Sequence, residues 1–294
     1  MSKKILITGA SGQLGNSVLI QLYGKYDLLA TDINSNNINT LNIPFAVLDV
    51  TNIEQIKNTL SNFNPNVIIN LAAFTDVDAC ELDPDRAYLL NTKSVEILSD
   101  NFDGQFIQIS TDYVFDGYNG PYKEDDNTNP ISVYGKTKLE AEKVLRDRGK
   151  NWCILRTNVL YDYYHNTIAS FIKWVIDSLK SNISIEVVDD QWNNPTWTQS
   201  FAEVIELVID KNVKGLYNYG GADYLSRIKF AQIIADIFNL NKTLISPIST
   251  DSLNQAAPRP LKGGLRTGKI EKEFGVKCVG LKYSLNMIRS RLTE

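Results

Sequence analysis

Short apolar runs rich in β-branched residues alternate with longer amphipathic stretches through the first half of the chain. "KILITG", "DLLATD", "FAVLDV", "NVIINLAA" and "QFIQIS" have the length and composition of strands buried on both faces. The segments between them, among them "NIEQIKNTLSNF" and "PDRAYLLNTKSVEILSDNF", repeat apolar residues at helical spacing. The second opens with a proline, which suits a first helical position because its missing N–H has no partner there in any case. This alternation predicts a parallel sheet flanked by helices. Near Arg156 the pattern changes: "WCILRTNVLY" still reads as a buried strand, and after it come aromatic loops, the helices "SFAEVIELVID" and "RIKFAQIIADIF", and the short strands "SIEVVDD" and "GLYNYGG". The expected architecture is α/β, a doubly wound parallel sheet over residues 1–155. A smaller C-terminal α+β lobe over 156–294 supplies the substrate side, with some of its segments returning to the sheet.

Composition narrows the classes of function. The 294 residues carry a net charge of -4 and no basic run, which argues against a nucleic-acid footprint or a membrane-surface patch and for a small-molecule partner. Cys80, Cys153 and Cys278 lie far apart, as expected of reduced thiols in a cytoplasmic protein. A single histidine, His165, nearly excludes a histidine-rich zinc site or a serine–histidine–aspartate triad. Acid–base work therefore falls to other side chains. No stretch is long enough to span a bilayer.

"ILITGASGQLGNSVLIQLY" places Gly9, Gly12 and Gly15 directly after the first strand and at the opening of a helix. Glycine permits the tight turn and close backbone approach of a Rossmann-type dinucleotide site, and the helix N-terminus offers unpaired N–H groups to a pyrophosphate. Asp32 ends the second strand, where a carboxylate accepts hydrogen bonds from the adenosine ribose and repels a 2′-phosphate. No arginine flanks it, so NADH is favoured over NADPH. Asp49, after the third strand, is placed to meet the adenine edge, and Ala72 and Ala73 leave room for the cofactor under the fourth.

The fifth strand leads into Ser110, Thr111 and Asp112 at the crevice mouth, followed by "SVYGKTKLEAEKVL". In a helix this puts Tyr134 and Lys138 one turn apart on one face, continued by Ala141 and Leu145. A tyrosine four residues before a lysine is a spacing that composition alone would produce once. Its context gives it meaning. A phenol with an ordinary pKa near 10 donates poorly to a ketone unless its anion is stabilised, which a neighbouring ammonium does. Lys138 also reaches the nicotinamide ribose, and Thr111 orients the substrate carbonyl.

With "TGASGQLG" and "YGKTK" go "LAAFTDVDACELDPDRAYLLNT", "STDYVFDG", "PYKEDDNTNPISVYGKTKLEAEK", "LRT" and "DDQWNNPT". Over nearly its whole length the chain resembles the extended short-chain dehydrogenase/reductases and, within them, the dTDP-4-dehydrorhamnose reductase family. The resemblance implies NAD(P)H-dependent reduction of the C4 ketone of a nucleotide-linked 4-dehydro-6-deoxysugar, dTDP-4-dehydro-L-rhamnose to dTDP-L-rhamnose, in polysaccharide precursor synthesis. It implies Thr111, Tyr134 and Lys138 as catalytic residues. Cofactor contacts are implied for Gly9, Ser11, Gly12, Gln13, Leu14, Gly15, Asp32, Asp49, Val50, Leu71, Ala72 and Ala73, with Tyr134 and Lys138. Substrate contacts are implied for Thr75, Thr111, Asp112, Val159, Asn166 and Arg259.

The chain also departs from the family pattern. After "LRT" the family carries serine and then tryptophan near the sugar, where this chain has Asn158 and Val159. Asn193 replaces a glycine, and Arg259-Pro260 lacks its following serine. Some members form homodimers that share magnesium through a glutamate after the fingerprint. Here Asn16, Ser17 and Val18 occupy that region, so a homodimer is compatible with the pattern and no metal is expected. Related dehydratases carry glutamate after threonine-aspartate, where this chain has Tyr113, which disfavours dehydration. A 4-epimerase, a reductase of another nucleotide sugar, and a non-catalytic partner subunit like the β-subunit of methionine adenosyltransferase remain alternatives.

Overall fold

The structure, a computed structural model, describes residues 2–34, 41–148, 151–164 and 170–293. Its centre is a seven-stranded sheet in which every neighbouring pair is parallel. Six strands follow in sequence: β1 (Lys4–Thr8), β2 (Asp27–Asp32), β3 (Phe45–Val47), β4 (Val67–Asn70), β5 (Gln105–Thr111) and β6 (Trp152–Thr157). The seventh, Gly215–Asn218, pairs with β6 at the far edge. In space the order runs β3-β2-β1-β4-β5-β6 and then Gly215–Asn218. The order reverses at β1, so a crevice opens there beyond the strand C-termini, where ligands bind in this class of sheet. Because helices cover both faces, the strands are apolar without alternation: Ile5, Leu6 and Ile7 are wholly buried although they point to opposite sides.

Two cores explain how the chain divides. One joins β1 and its neighbours to α1 (Gln13–Leu22) and to the later helix Thr198–Asp210, with Tyr217 and Ile270 included. The other is built from Tyr161, Trp197, Phe230, Leu285 and the helices Phe171–Lys180, Arg227–Ile237 and Leu281–Thr293. The segment "GLYNYGG" and the helix before it thus belong to the sheet layer, and the smaller lobe gathers around the second core. Gln13 links the two across the crevice: its amide donates to the Leu160 carbonyl at 3.3 Å and accepts from the Asp162 N–H at 3.3 Å.

The helix Val133–Asp147 begins where the Ser132 hydroxyl accepts from the Gly135 N–H at 3.2 Å, a serine N-cap. Gly135 lets it approach the strand β5 exit closely, since a Cβ there would lie 2.2 Å from the Tyr113 carbonyl oxygen. The buried face carries Lys138, Ala141, Glu142 and Leu145. Glu142 is wholly buried, accepting two Arg156 hydrogen bonds at 2.8 and 2.7 Å and one from the Ser110 hydroxyl at 2.6 Å. Such a bidentate pair locks the catalytic-side helix to β5 and β6.

Candidate active site

The fingerprint turn is shaped by contact. Gly9 has φ +64° and a Cβ there would sit 2.6 Å from the Ala72 nitrogen, while a Cβ at Gly15 would strike the Ala10 carbonyl oxygen at 2.3 Å. Gly12 is different. A Cβ on it would meet only the Gly9 oxygen at 3.3 Å, so its freedom is toward the crevice. Asp32 holds the turn: Oδ2 accepts from the Ser11 N–H at 3.0 Å and Oδ1 from the Ile33 N–H at 2.7 Å.

A cavity of about 710 Å³ runs from this turn to the end of β5, large enough for a cofactor and part of a substrate. Gly9, Ser11, Gly12, Gln13, Leu14, Gly15, Asp32, Val50, Leu71, Ala72 and Ala73 line it at one end. Thr75, Thr111, Asp112, Tyr134, Lys138 and Val159 line it at the other. The donor set suits a dinucleotide: an open glycine turn at a helix N-terminus, a carboxylate beyond it, and small residues beneath. Among the described residues, no group of three or more histidine, cysteine, aspartate or glutamate side chains is placed to hold a metal ion.

Two residues expected at the site do not line this cavity. Asp49 does not line the cavity; its Oδ1 accepts from the Thr51 N–H at 2.9 Å and hydroxyl at 2.7 Å, closing its own turn, while Leu48 and Val50 face the cavity. Arg259 stands beside the cavity, where its charge acts on Tyr113 and Arg227, with its guanidinium paired with Asp78 at 2.8 Å and donating to the Ala257 carbonyl at 3.0 Å. Asn166, with His165, lies outside the described residues. Val159 lines the cavity at φ +37°, uncommon backbone for a β-branched residue and a strained one.

At the chemical end, burial pushes the Tyr134 phenol above its ordinary pKa, with the Thr111 hydroxyl bonded to it pulling the other way. The phenol is thus a weaker acid than in water, opposite to the shift expected beside Lys138, so donation to a ketone requires that its anion be stabilised as it forms. Lys138 is 4% exposed; burial draws its ammonium down to about 8, opposed by Glu142 one turn on. Its Nζ donates to the Ile109 carbonyl at 2.7 Å, leaving two of three donors for other partners. Burial raises Asp112 to about 6, held back chiefly by the Gly264 N–H that Oδ2 accepts at 3.0 Å.

Asn91 clamps the loop after β4 to the catalytic-side helix. Its Oδ1 accepts from the Phe74 N–H at 2.8 Å, and its Nδ2 donates to the Phe74 carbonyl and to the Thr137 hydroxyl, both at 3.1 Å. Asn91 lies in a π-helical turn, Leu89–Lys93, of the kind often found at functional sites. Sequence reasoning passed over several cavity residues: Phe74, Arg86, Tyr113 and Arg227. The first three stand in or beside blocks already quoted, so they were within reach. Arg227 opens an ordinary amphipathic helix and carries no local signal.

Compared with known proteins, residues 3–293 match the family described as the RmlD substrate binding domain. A dTDP-4-dehydrorhamnose reductase of Aggregatibacter actinomycetemcomitans is 34% identical across 98% of this chain and 98% of its own length. The methionine adenosyltransferase 2 subunit beta of Xenopus tropicalis is 32% identical across 92% of this chain and 82% of its own length. Among solved structures, a Bacillus anthracis dTDP-4-dehydrorhamnose reductase in complex with NADP superposes with a TM-score of 0.89, at 28% identity, covering 99% of this chain and 100% of that one.

Proposed function

The chain belongs to the RmlD substrate-binding-domain family, and from that premise we propose that it reduces the C4 ketone of a nucleotide-linked 4-dehydro-6-deoxysugar, with dTDP-4-dehydro-L-rhamnose the best-fitting substrate and dTDP-L-rhamnose the product. The observation that carries this reading is the meeting of Thr111, Tyr134 and Lys138 in one cavity with the glycine turn.

A bound nicotinamide cofactor supplies the hydride. Tyr134 donates its phenolic proton to the ketone oxygen as carbon is reduced, and the Lys138 ammonium stabilises the phenolate left behind. Thr111 donates a hydrogen bond to the same carbonyl and fixes its direction. Asp112, beside it, accepts from sugar hydroxyls. Asp32 accepts from the adenosine ribose, which supports a preference for NADH over NADPH.

A second reading has its own support in the similarity to methionine adenosyltransferase 2 subunit beta: a partner subunit that retains the cavity. Cofactor oxidation followed at 340 nm separates the readings. With dTDP-4-dehydro-6-deoxyglucose and the 3,5-epimerase that makes the rhamnose precursor, the reductase reading predicts oxidation that is absent without the epimerase. Oxidation without it indicates a different deoxysugar. No oxidation in either mixture, together with capture of a synthetase subunit, favours the partner-subunit reading. Turnover of a nucleotide sugar with no added reductant would indicate epimerisation.

A further inference from the structure

We propose that Arg227 recognises the diphosphate of the nucleotide-sugar substrate, an assignment that rests on the substrate reading above. Arg227 lines the same cavity as Tyr134 and Asp112 but belongs to the smaller lobe, opposite the glycine turn that suits the cofactor's own pyrophosphate. Its backbone is firmly mounted. The Arg227 N–H donates to the Gln191 carbonyl at 3.0 Å, Leu225–Ser226 pairs antiparallel with Trp192–Asn193, and the Ser226 hydroxyl caps the helix on the Lys229 N–H at 3.4 Å. The guanidinium carbon stands 5.3 Å from the Phe171 ring centroid, which fixes the side chain from behind.

Among the described residues no carboxylate forms an ion pair with Arg227. Asp112, whose charge acts on it, accepts from the Gly264 N–H at Oδ2 and from the Thr111 hydroxyl at Oδ1 rather than from the guanidinium. The other cations nearby differ. Arg259 is neutralised by Asp78, and Arg86, packed over Phe74 at 4.7 Å, is exposed, so water satisfies it. A half-buried guanidinium with no ion-pair partner among the described residues leaves its donors to an anion that enters the cavity. Its planar fork matches phosphate oxygens bidentately.

The test is calorimetric titration of the NAD⁺-loaded protein with dTDP, UDP and thymidine, on wild type, Arg227→Gln and Arg227→Lys. The expected result is a dTDP affinity about 10- to 100-fold weaker in Arg227→Gln, thymidine and NAD⁺ affinities unchanged, and partial recovery in Arg227→Lys. Equal dTDP binding by wild type and Arg227→Gln overturns the assignment and leaves the substrate reading standing. Equal losses for dTDP and thymidine also overturn it, since that marks a packing role on Phe171. A wild-type protein that binds neither diphosphate overturns both the assignment and the substrate reading.

Discussion

Replacing Asp32 with alanine separates the two nicotinamide cofactors quantitatively. A carboxylate has about four acceptor sites; two are taken by the Ser11 and Ile33 N–H groups at 3.0 and 2.7 Å. Two remain, matching the two hydroxyls of a ribose. Hydrogen bonds to a charged acceptor contribute about 1.5–3 kcal/mol each, and water entering the truncated site recovers part of that, so NADH loses about 2–3 kcal/mol. The loss of support to the Ser11 N–H in the fingerprint turn weakens both cofactors equally and cancels from their ratio. NADPH gains from relief of repulsion between Asp32 and its 2′-phosphate, about 1 kcal/mol at a solvated site. The ratio of the two dissociation constants therefore moves by about 3–4 kcal/mol, two orders of magnitude or more, toward NADPH. Fluorescence titration of wild type and Asp32→Ala with both cofactors measures it. Equal weakening of the two would mean that Asp32 only braces the turn, and the ribose assignment would be wrong.

Tyr134→Phe is expected to lower kcat by about 100-fold or more while NADH binding stays near wild type, as cofactor titration beside steady-state kinetics will show; unchanged turnover removes Tyr134 from the mechanism. The Lys138 ammonium, drawn down to about 8 by burial, is charged below that pH and neutral above it. Reduction should therefore fall as pH rises through about 8, and a kcat/KM profile flat to pH 10 would contradict its role. Glu142→Ala strips the buried Arg156 of its partner, a change that costs about 3–5 kcal/mol, or roughly 5–8 °C in Tm at this size. A drop under 2 °C in thermal unfolding would mean that the pair holds nothing together.

The strands of the first half were legible because each is a continuous apolar run bounded by polar turns, and the glycine turn because its spacing falls between a strand and a helix. The destination of "GLYNYGG" was not. A four-residue apolar strand, Gly215–Asn218, has the same local signature whether it joins a small lobe or adds to the edge of the main sheet beside β6. Side-chain partners distant in sequence were equally hidden. Nothing local announced the pairing of Arg259 with Asp78, or that the Thr51 hydroxyl would donate to Asp49. Arg227 shows the converse: nothing in "RIKFAQIIADIF" distinguishes its first residue, and only the fold brings that cation to the cavity. Tyr134 and Lys138 were readable because helix periodicity puts them on one face and the block follows the strand end that carries Thr111 and Asp112.

Transfer of label from deuterated nicotinamide tests the central claim most directly. NADH carrying deuterium at its transferable position is incubated with the protein, dTDP-4-dehydro-6-deoxyglucose and the 3,5-epimerase, and the product is read by proton NMR and mass spectrometry. The predicted result is one deuterium at C4 of a dTDP-L-rhamnose product for each cofactor oxidised, and none from Tyr134→Phe at matched times. Deuterium retained on the cofactor, or a product labelled at any other carbon, would contradict it.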